Sequence, residues 1–243
     1  MRGMMSDSLL TAKQVSDELH SLSDPRIAEH SQRFFKTGPG EYAEGDACLG
    51  IRVPVQRKVA ARARGMNETE NIKLLKSPWH EERLTALFIM VQRYKTGNPA
   101  ERERIYSSYL SHTKHINNWD LVDSSAYHIV GSHLLDRDRG ILRSLAKSDL
   151  LWDRRIAMVA TYQFIREGQF EDVLDIAYLL LGDTHDLIHK AVGWMLREMG
   201  NRNRDIETMF LDAHYRDMPR TMLRYAIEKY PEPERQAYLK GLR

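Results

Sequence analysis

Arg155-Ile156-Ala157-Met158-Val159 decides the reading of the fold, because it has counterparts in Arg83-Leu84-Thr85-Ala86-Leu87 and in Lys190-Ala191-Val192-Gly193-Trp194. These stretches and Trp119 recur at intervals of about 36 residues, and Arg220 follows after a shorter interval of about 30. The dipeptide Lys76-Ser77 also returns as Lys147-Ser148, about two such periods later. Each recurrence lies near the start of an amphipathic helix, so one period corresponds to one helix pair. The Trp, Gly, Tyr and Pro pattern of tetratricopeptide repeats is absent, as is the Thr-Pro-Leu-His turn of ankyrin repeats. The sequence therefore predicts an all-α chain, a curved solenoid of HEAT-like antiparallel helix pairs with units shorter than the usual range of about 40 to 47 residues.

Apolar residues at helical spacing run through nearly the whole chain, and no segment alternates strictly. Helix starts are marked by Asp24-Pro25, Val53-Pro54, Asn67 with Glu70, Ser77-Pro78 and Asn98-Pro99. Helices are expected near 10–22, 25–36, 54–64, 68–75, 79–95, 99–110, 119–134, 138–146, 151–166, 170–181, 185–199, 203–214, 219–229 and 232–241. A single domain over 1–243 is expected, with capping helices in 1–40, a loop at 41–53 and repeats over 54–243.

With 243 residues, 42% of them hydrophobic, the chain can bury a substantial core. No stretch approaches the roughly 18 apolar residues of a membrane span, and Met1 to Ser8 lacks the apolar run of a secretory signal, so a cytoplasmic protein is expected. Cys48 is the only cysteine, which excludes an internal disulfide and points to a small buried side chain. The net charge of +2 carries no argument for nucleic acid by itself.

Charge placement says more. In stacked helix pairs, equivalent positions become neighbours on one face, so Arg83, Trp119, Arg155, Lys190 and Arg220 are expected to form a concave row. Asp123 and Trp194 would lie one turn further along their own helices. Cations with interleaved indoles suit a phosphate backbone and a base, and cations beside helix N-termini oppose the dipole, which speaks against a role in stability alone. In Asn117-Asn118-Trp119-Asp120-Leu121-Val122-Asp123 an Asn caps the helix, and spacing puts Trp119 and Asp123 on one face. An aromatic surface beside an anion matches a cationic ligand; the plainer reading is a core Trp with Asp123 as a dipole partner. The pair His185 and His189 resembles the zinc-protease motif only superficially, because Asp186 replaces the Glu and no third ligand follows, and no phosphate loop or nucleophile elbow is present. Neither metal nor cofactor is expected.

Four motifs carry a resemblance: Leu49-Gly50-Ile51-Arg52-Val53-Pro54, Asn118-Trp119-Asp120-Leu121-Val122-Asp123, Leu151-Trp152-Asp153-Arg154-Arg155, and Lys190-Ala191-Val192-Gly193-Trp194-Met195-Leu196-Arg197-Glu198. Together they resemble the bacterial DNA alkylation repair proteins of the AlkD-like type, HEAT-like-repeat alkylpurine DNA glycosylases, over about residues 40 to 230. The resemblance implies that Trp119, Asp123 and Trp194 form a catalytic cleft and that Arg155 holds the DNA backbone. Tyr42 and Arg197 join Arg83, Lys190 and Arg220 as DNA-binding residues. Gln163 stands where a family member has a lysine, and Asp186-Leu187 where it has adjacent phenylalanines.

The expected activity is hydrolysis of the glycosidic bond of cationic N3- or N7-alkylated purines in duplex DNA, performed by a monomer from an open groove without enclosing the base. The carboxylate of Asp123, near a helix N-terminus and close to Arg155, is expected to stay ionised. Two alternatives need less: a non-catalytic binder of damaged or branched DNA keeps the cations without needing Asp123, and a protein-binding scaffold needs neither.

Overall fold

A computed structural model of the chain describes residues 10–243; Met1 to Ser8, the segment read for a secretory signal, lies outside them. Among the described residues the chain is helical without strands; an isolated parallel bridge joins Ala47 to Trp79. It packs as two units, the first ending at Ser125 and the second spanning Ala126–Arg243. No helix among the described residues is long and apolar enough to cross a membrane.

The first unit holds α1 (Ala12–Ser21), α2 (Pro25–Phe35), α3 (Val53–Arg62), α4 (Glu68–Leu75), α5 (His80–Thr96), α6 (Pro99–Leu110) and α7 (Trp119–Asp123). Local chemistry sets most of the starts. Asp24, Asn67 and Asn98 each accept a backbone N–H of the following turn, and Pro25, Pro54 and Pro99 occupy first-turn positions where no amide partner is needed. Around α5 pack α3, α4 and α6, and it is buried almost from end to end.

The first turn of α5 is unusual in chemistry. His80, Glu81, Glu82 and Arg83 are all at most 5% exposed, and buried charges persist only when paired. Each here is committed to a different element. Glu81 accepts N–H bonds from Leu49, Gly50 and Ile51 at 2.8, 2.8 and 3.3 Å. Glu82 accepts from Ser16 at 2.6 Å and lies 3.2 Å from His20 Nε2, tying α1 down. Gly50 is required where Glu81 holds it: its φ is +79°, and a Cβ there would meet the Asp24 carbonyl at 2.1 Å. The Leu49–Pro54 motif thus records how the loop passes the start of α2. Cys48 is buried in the same region, and burial, with Glu81 and Asp46 nearby, pushes its thiol up to about 12.

The second unit holds α8 (Ser132–Leu134), α9 (Gly140–Ala146), α10 (Leu151–Ala160), α11 (Tyr162–Arg166), α12 (Glu171–Leu179), α13 (Asp186–Gly200), α14 (Arg204–His214), α15 (Arg220–Ala226) and α16 (Glu232–Lys240). At its centre is α13, packed on α10, α12, α14 and α15. A Cβ at Gly193 would lie 2.4 Å from the Met222 carbonyl and 2.5 Å from Tyr225 Cβ, so glycine lets α13 and α15 approach.

Two long helices expected from periodicity are interrupted, and a hydroxyl sits at each break. Over 119–134, α7 stops at Asp123 and a π-helical turn spans Tyr127–Gly131 before α8. Ser125 Oγ donates to the Leu121 carbonyl at 2.6 Å while its amide bonds Val122 at 3.1 Å. Over 151–166, Thr161 separates α10 from α11; its hydroxyl and its amide both go to the Met158 carbonyl, at 2.6 and 3.2 Å. A side-chain hydroxyl that bonds nearby carbonyls shifts the helical register.

Candidate functional site

In the first unit the site is built around α7. Asn118 is fully buried, and its side chain accepts the Trp119 amide at 2.8 Å, while Asn117 Nδ2 donates to Asp46 Oδ1 at 3.1 Å. These bonds fix the chain as it enters α7. Trp119 is half-buried, edge-on to Phe34 at 5.7 Å and tilted against Phe35 at 5.8 Å. Both phenylalanines end α2, none of whose residues is fully buried, and Phe34 is 56% exposed. Phe35 in turn stacks on His80 at 4.3 Å.

Of the two carboxylates in the motif, Asp120 accepts from His80 Nε2 at 2.8 Å, and His80 Nδ1 lies 3.9 Å from Asp46. Burial works against a charge on His80, but the charge and hydrogen bond of Asp120, with Asp46 behind it, win and raise its pKa to about 9. Asp123 is the last residue of α7 and half-buried. The helix dipole therefore favours the carboxylate of Asp120, which occupies the first turn, and not that of Asp123. Helical spacing still places Asp123 on the face of Trp119.

Arg83 does not line a surface. It is 3% exposed, its guanidinium bonds Asp46 at 2.5 Å and the Ser77 carbonyl at 2.8 Å, and its expected role as a DNA-binding residue is corrected accordingly. The second unit repeats this arrangement one residue earlier than the apolar pattern predicts. Arg154, not Arg155, bonds the Ser148 carbonyl at 2.9 Å and pairs with Asp183 at 2.7 Å. The hydroxyl of Ser77 accepts the Trp79 amide, as that of Ser148 accepts the Leu150 amide. The Lys-Ser recurrence thus gives the true repeat register, in which Arg155 corresponds to Leu84.

Arg155 itself is 5% exposed and donates to the Leu187 carbonyl at the start of α13, so it braces that helix from within and is not an open phosphate contact. Trp194 is half-buried; its Nε1 donates to Glu198 at 3.2 Å, and its ring lies 6.0 Å from Tyr162, which meets Tyr127 edge-on at 5.2 Å. Among the remaining cations, Lys190 pairs with Asp186 at 2.7 Å, Arg197 with Glu228, and Arg220 donates to the Leu239 carbonyl at 2.7 Å. His185 Nδ1 accepts the Leu187 amide at 3.1 Å, and the His189 ring bonds the Asp183 carbonyl, which places both imidazoles in the start of α13.

Trp119, Asp123, Arg83 and the half-buried Tyr42 thus belong to the first unit; Arg155, Lys190, Trp194, Arg197 and Arg220 belong to the second. Within the first, Phe34, Phe35, His80 and Asp120 join Trp119 without having been singled out in sequence, and in the second Tyr127 and Tyr162 join Trp194. The adjacent pair Phe34-Phe35 at the end of a polar helix was the one available signal. Spacing could not reveal the rest.

No curated protein matches the sequence. A solved structure described as a predicted DNA alkylation repair enzyme from Enterococcus faecalis has a similar fold, with a TM-score of 0.68 and 13% identity, over 93% of this chain and 100% of that one. The family model of DNA alkylation repair enzymes matches residues 15–230. With that match across most of its length, the chain belongs to the DNA alkylation repair enzyme family, and its role lies in the repair of alkylated DNA.

Proposed function

We propose that the protein is a DNA glycosylase that hydrolyses the N-glycosidic bond of cationic N3- or N7-alkylated purines in duplex DNA, on a HEAT-like scaffold. The reading is carried by one observation: the half-buried indole of Trp119 stands on α7 with Asp123 one turn along on the same face. Alkylation makes the base cationic, so the bond breaks to a neutral base and an oxocarbenium-like sugar. Water adds at C1′ and gives up its proton, leaving an abasic site. The face of Trp119 stabilises positive charge by about 0.5–2 kcal/mol when desolvated. Asp123 stabilises the sugar cation and aligns the water; losing a comparable electrostatic group costs about 2.7–4 kcal/mol in the transition state.

DNA binding falls to Lys190, Arg197, Arg220 and Tyr42. Exposed ion pairs are worth about 0–1 kcal/mol, so a phosphate can displace Asp186 from Lys190 at little cost. Charge on the base, in place of a pocket that reads its edge, selects the substrate in this reading, and neutral lesions should be poor substrates. The test is single-turnover release of 7-methylguanine from a duplex carrying one such lesion, scored as abasic sites. Asp123→Asn should slow release by about 10²-fold or more with DNA affinity unchanged or higher. Wild-type protein that releases no base, or a variant as fast as wild type, defeats the assignment; the first result favours a non-catalytic binder of damaged DNA.

A further inference from the structure

A cavity of about 420 Å³ opens in the first unit between α4 and α6, with Glu68, Lys73 and Lys76 on one side and Ser108 and His112 on the other. Its cationic rim continues into the 3-10 turn Thr113–His115, where the rings of His112 and His115 lie 6.3 Å apart. Lys73 is paired with Glu70 at 2.5 Å, and Glu68 stands at the far end of α4, about 12 Å from Lys76 at a rise of about 1.5 Å per residue. Lys76 and Lys114 are exposed, and among the described residues no carboxylate pairs with either. The charges act on one another: His115 is pushed below the ordinary imidazole range by burial and then by the positive charges of Lys114, His112, Lys76 and Arg83.

Gathered like charges oppose folding, so they ask for a reason. The end of α4 favours a cation at Lys76, but no long helix ends at Lys114 and His115. His112 adds a condition on the ligand. Its Nδ1 lies 2.7 Å from the Ser108 carbonyl, which can only accept, so Nδ1 carries a proton and Nε2 donates to an anion only in the imidazolium form. Lys114 and His115 also stand just ahead of Trp119 on a chain pinned by Asn117 to Asp46 and by the Asn118 cap. The four residues from His115 to Trp119 span at most about 14 Å, roughly four base steps along a DNA strand. We propose that Lys76, His112, Lys114 and His115 form a phosphate-binding surface that holds the backbone of duplex DNA beside a base at Trp119. The proposal rests on the repair reading for its partner, DNA, and not on the glycosylase chemistry. A phosphate on this surface favours both imidazolium forms, so binding takes up protons and weakens as pH rises through the histidine range.

The probe is a fluorescent duplex carrying one 7-methylguanine, with anisotropy followed over salt and pH on the full chain. Lys76→Gln/Lys114→Gln should weaken binding at least about tenfold and lower the salt slope by about two. Lys13→Gln/Lys240→Gln, which removes the same charge from exposed positions elsewhere, should do neither. His112→Gln/His115→Gln should flatten the gain in affinity between about pH 7.5 and 5.5, and the His115 ring should titrate higher with DNA than without it by NMR. Lys76 and Lys114 are exposed, so their variant folds whatever the histidine variant does. A wild type without affinity for the duplex, a lysine variant with unchanged affinity and slope, or a His115 ring that titrates alike with and without DNA overturns the proposal. The expected binding results from a protein that releases no 7-methylguanine uphold the surface while removing the glycosylase reading; base release with undiminished affinity in the lysine variant does the reverse.

Discussion

Deprotonating His80 should loosen the first unit, and the size of the effect follows from its surroundings. The folded protein holds the imidazolium between Asp120 and Asp46 with a pKa of about 9, against an ordinary value of 6.5. A base whose pKa is raised by folding stabilises the fold fully below its unfolded pKa, and that stability is lost as pH rises through the folded value. At about 1.36 kcal/mol per pKa unit, the rise corresponds to about 3 kcal/mol, present at pH 6 and gone near pH 9.5. Asp120→Asn removes the strongest counter-charge, leaving burial, the largest influence on His80, to lower its pKa. The assay pairs an NMR titration of the His80 ring with urea unfolding at pH 6 and pH 9.5. Wild type should lose about 3 kcal/mol more between the two than Asp120→Asn, which should start weaker at pH 6. A wild-type His80 that titrates near 6.5, or equal losses in the two proteins, would refute the reasoning.

Three further outcomes follow from the packing. Burial raises the Glu207 carboxyl from 4.5 to about 7 against the opposing charges of Arg204 and Arg197, so its protonated form favours the fold and this contribution is lost as pH rises through 7. Glu207→Gln should match wild type near pH 4.5 and exceed it by up to about 3 kcal/mol at pH 8 in urea unfolding. Arg83→Ala should cost about 3 kcal/mol, because it removes the cation paired with the buried carboxylate of Asp46, yet leave the salt slope of DNA binding unchanged; a slope reduced by about one would restore Arg83 as a phosphate contact. Gly193→Ala forces a methyl against the backbone of α15 and should cost about 1–3 kcal/mol, read as a fall in Tm of several degrees, with unchanged Tm showing that the helices can part freely.

The helices were legible because what sets them is local. Asn67, Asn98 and the prolines at 25, 54 and 99 act within one turn, and α4 and α6 run over the expected residues 68–75 and 99–110. The charged run at the start of α5 was not legible, since four ionisable residues at a helix start read as a solvated end, and only their partners at Asp120, Leu49, Ser16 and Asp46 make burial affordable. Arg83 entered the cationic row for that reason. Arg155 did so because the apolar residues after it match those after Arg83, while the repeat register is set by hydrogen bonds to Ser77 and Ser148 that no hydropathy pattern records. Breaks at Ser125 and Thr161 escaped notice because a hydroxyl inside an amphipathic helix is ordinary until its bond is seen.

The same contacts divide the work of the two motif carboxylates. In sequence, Asp120 and Asp123 both follow Trp119 within one turn, and either could serve a cationic transition state. Asp120 has already given one oxygen to a buried imidazolium, which fixes its charge in place and spends part of its field on His80. A carboxylate so neutralised is a poor stabiliser of a transient sugar cation, because the charge it offers is balanced before the substrate arrives. In the proposed reaction Asp120 is therefore a positioning residue that holds the start of α7, and Asp123 is assigned the acting role because it shares the face of Trp119. The two asparagine variants should differ accordingly. Asp120→Asn should weaken the fold and still release 7-methylguanine at pH 6, whereas Asp123→Asn should lose release at the same pH. If Asp120→Asn proves the inactive but stable variant, the assignments are exchanged, and the buried pair with His80 becomes the catalytic one.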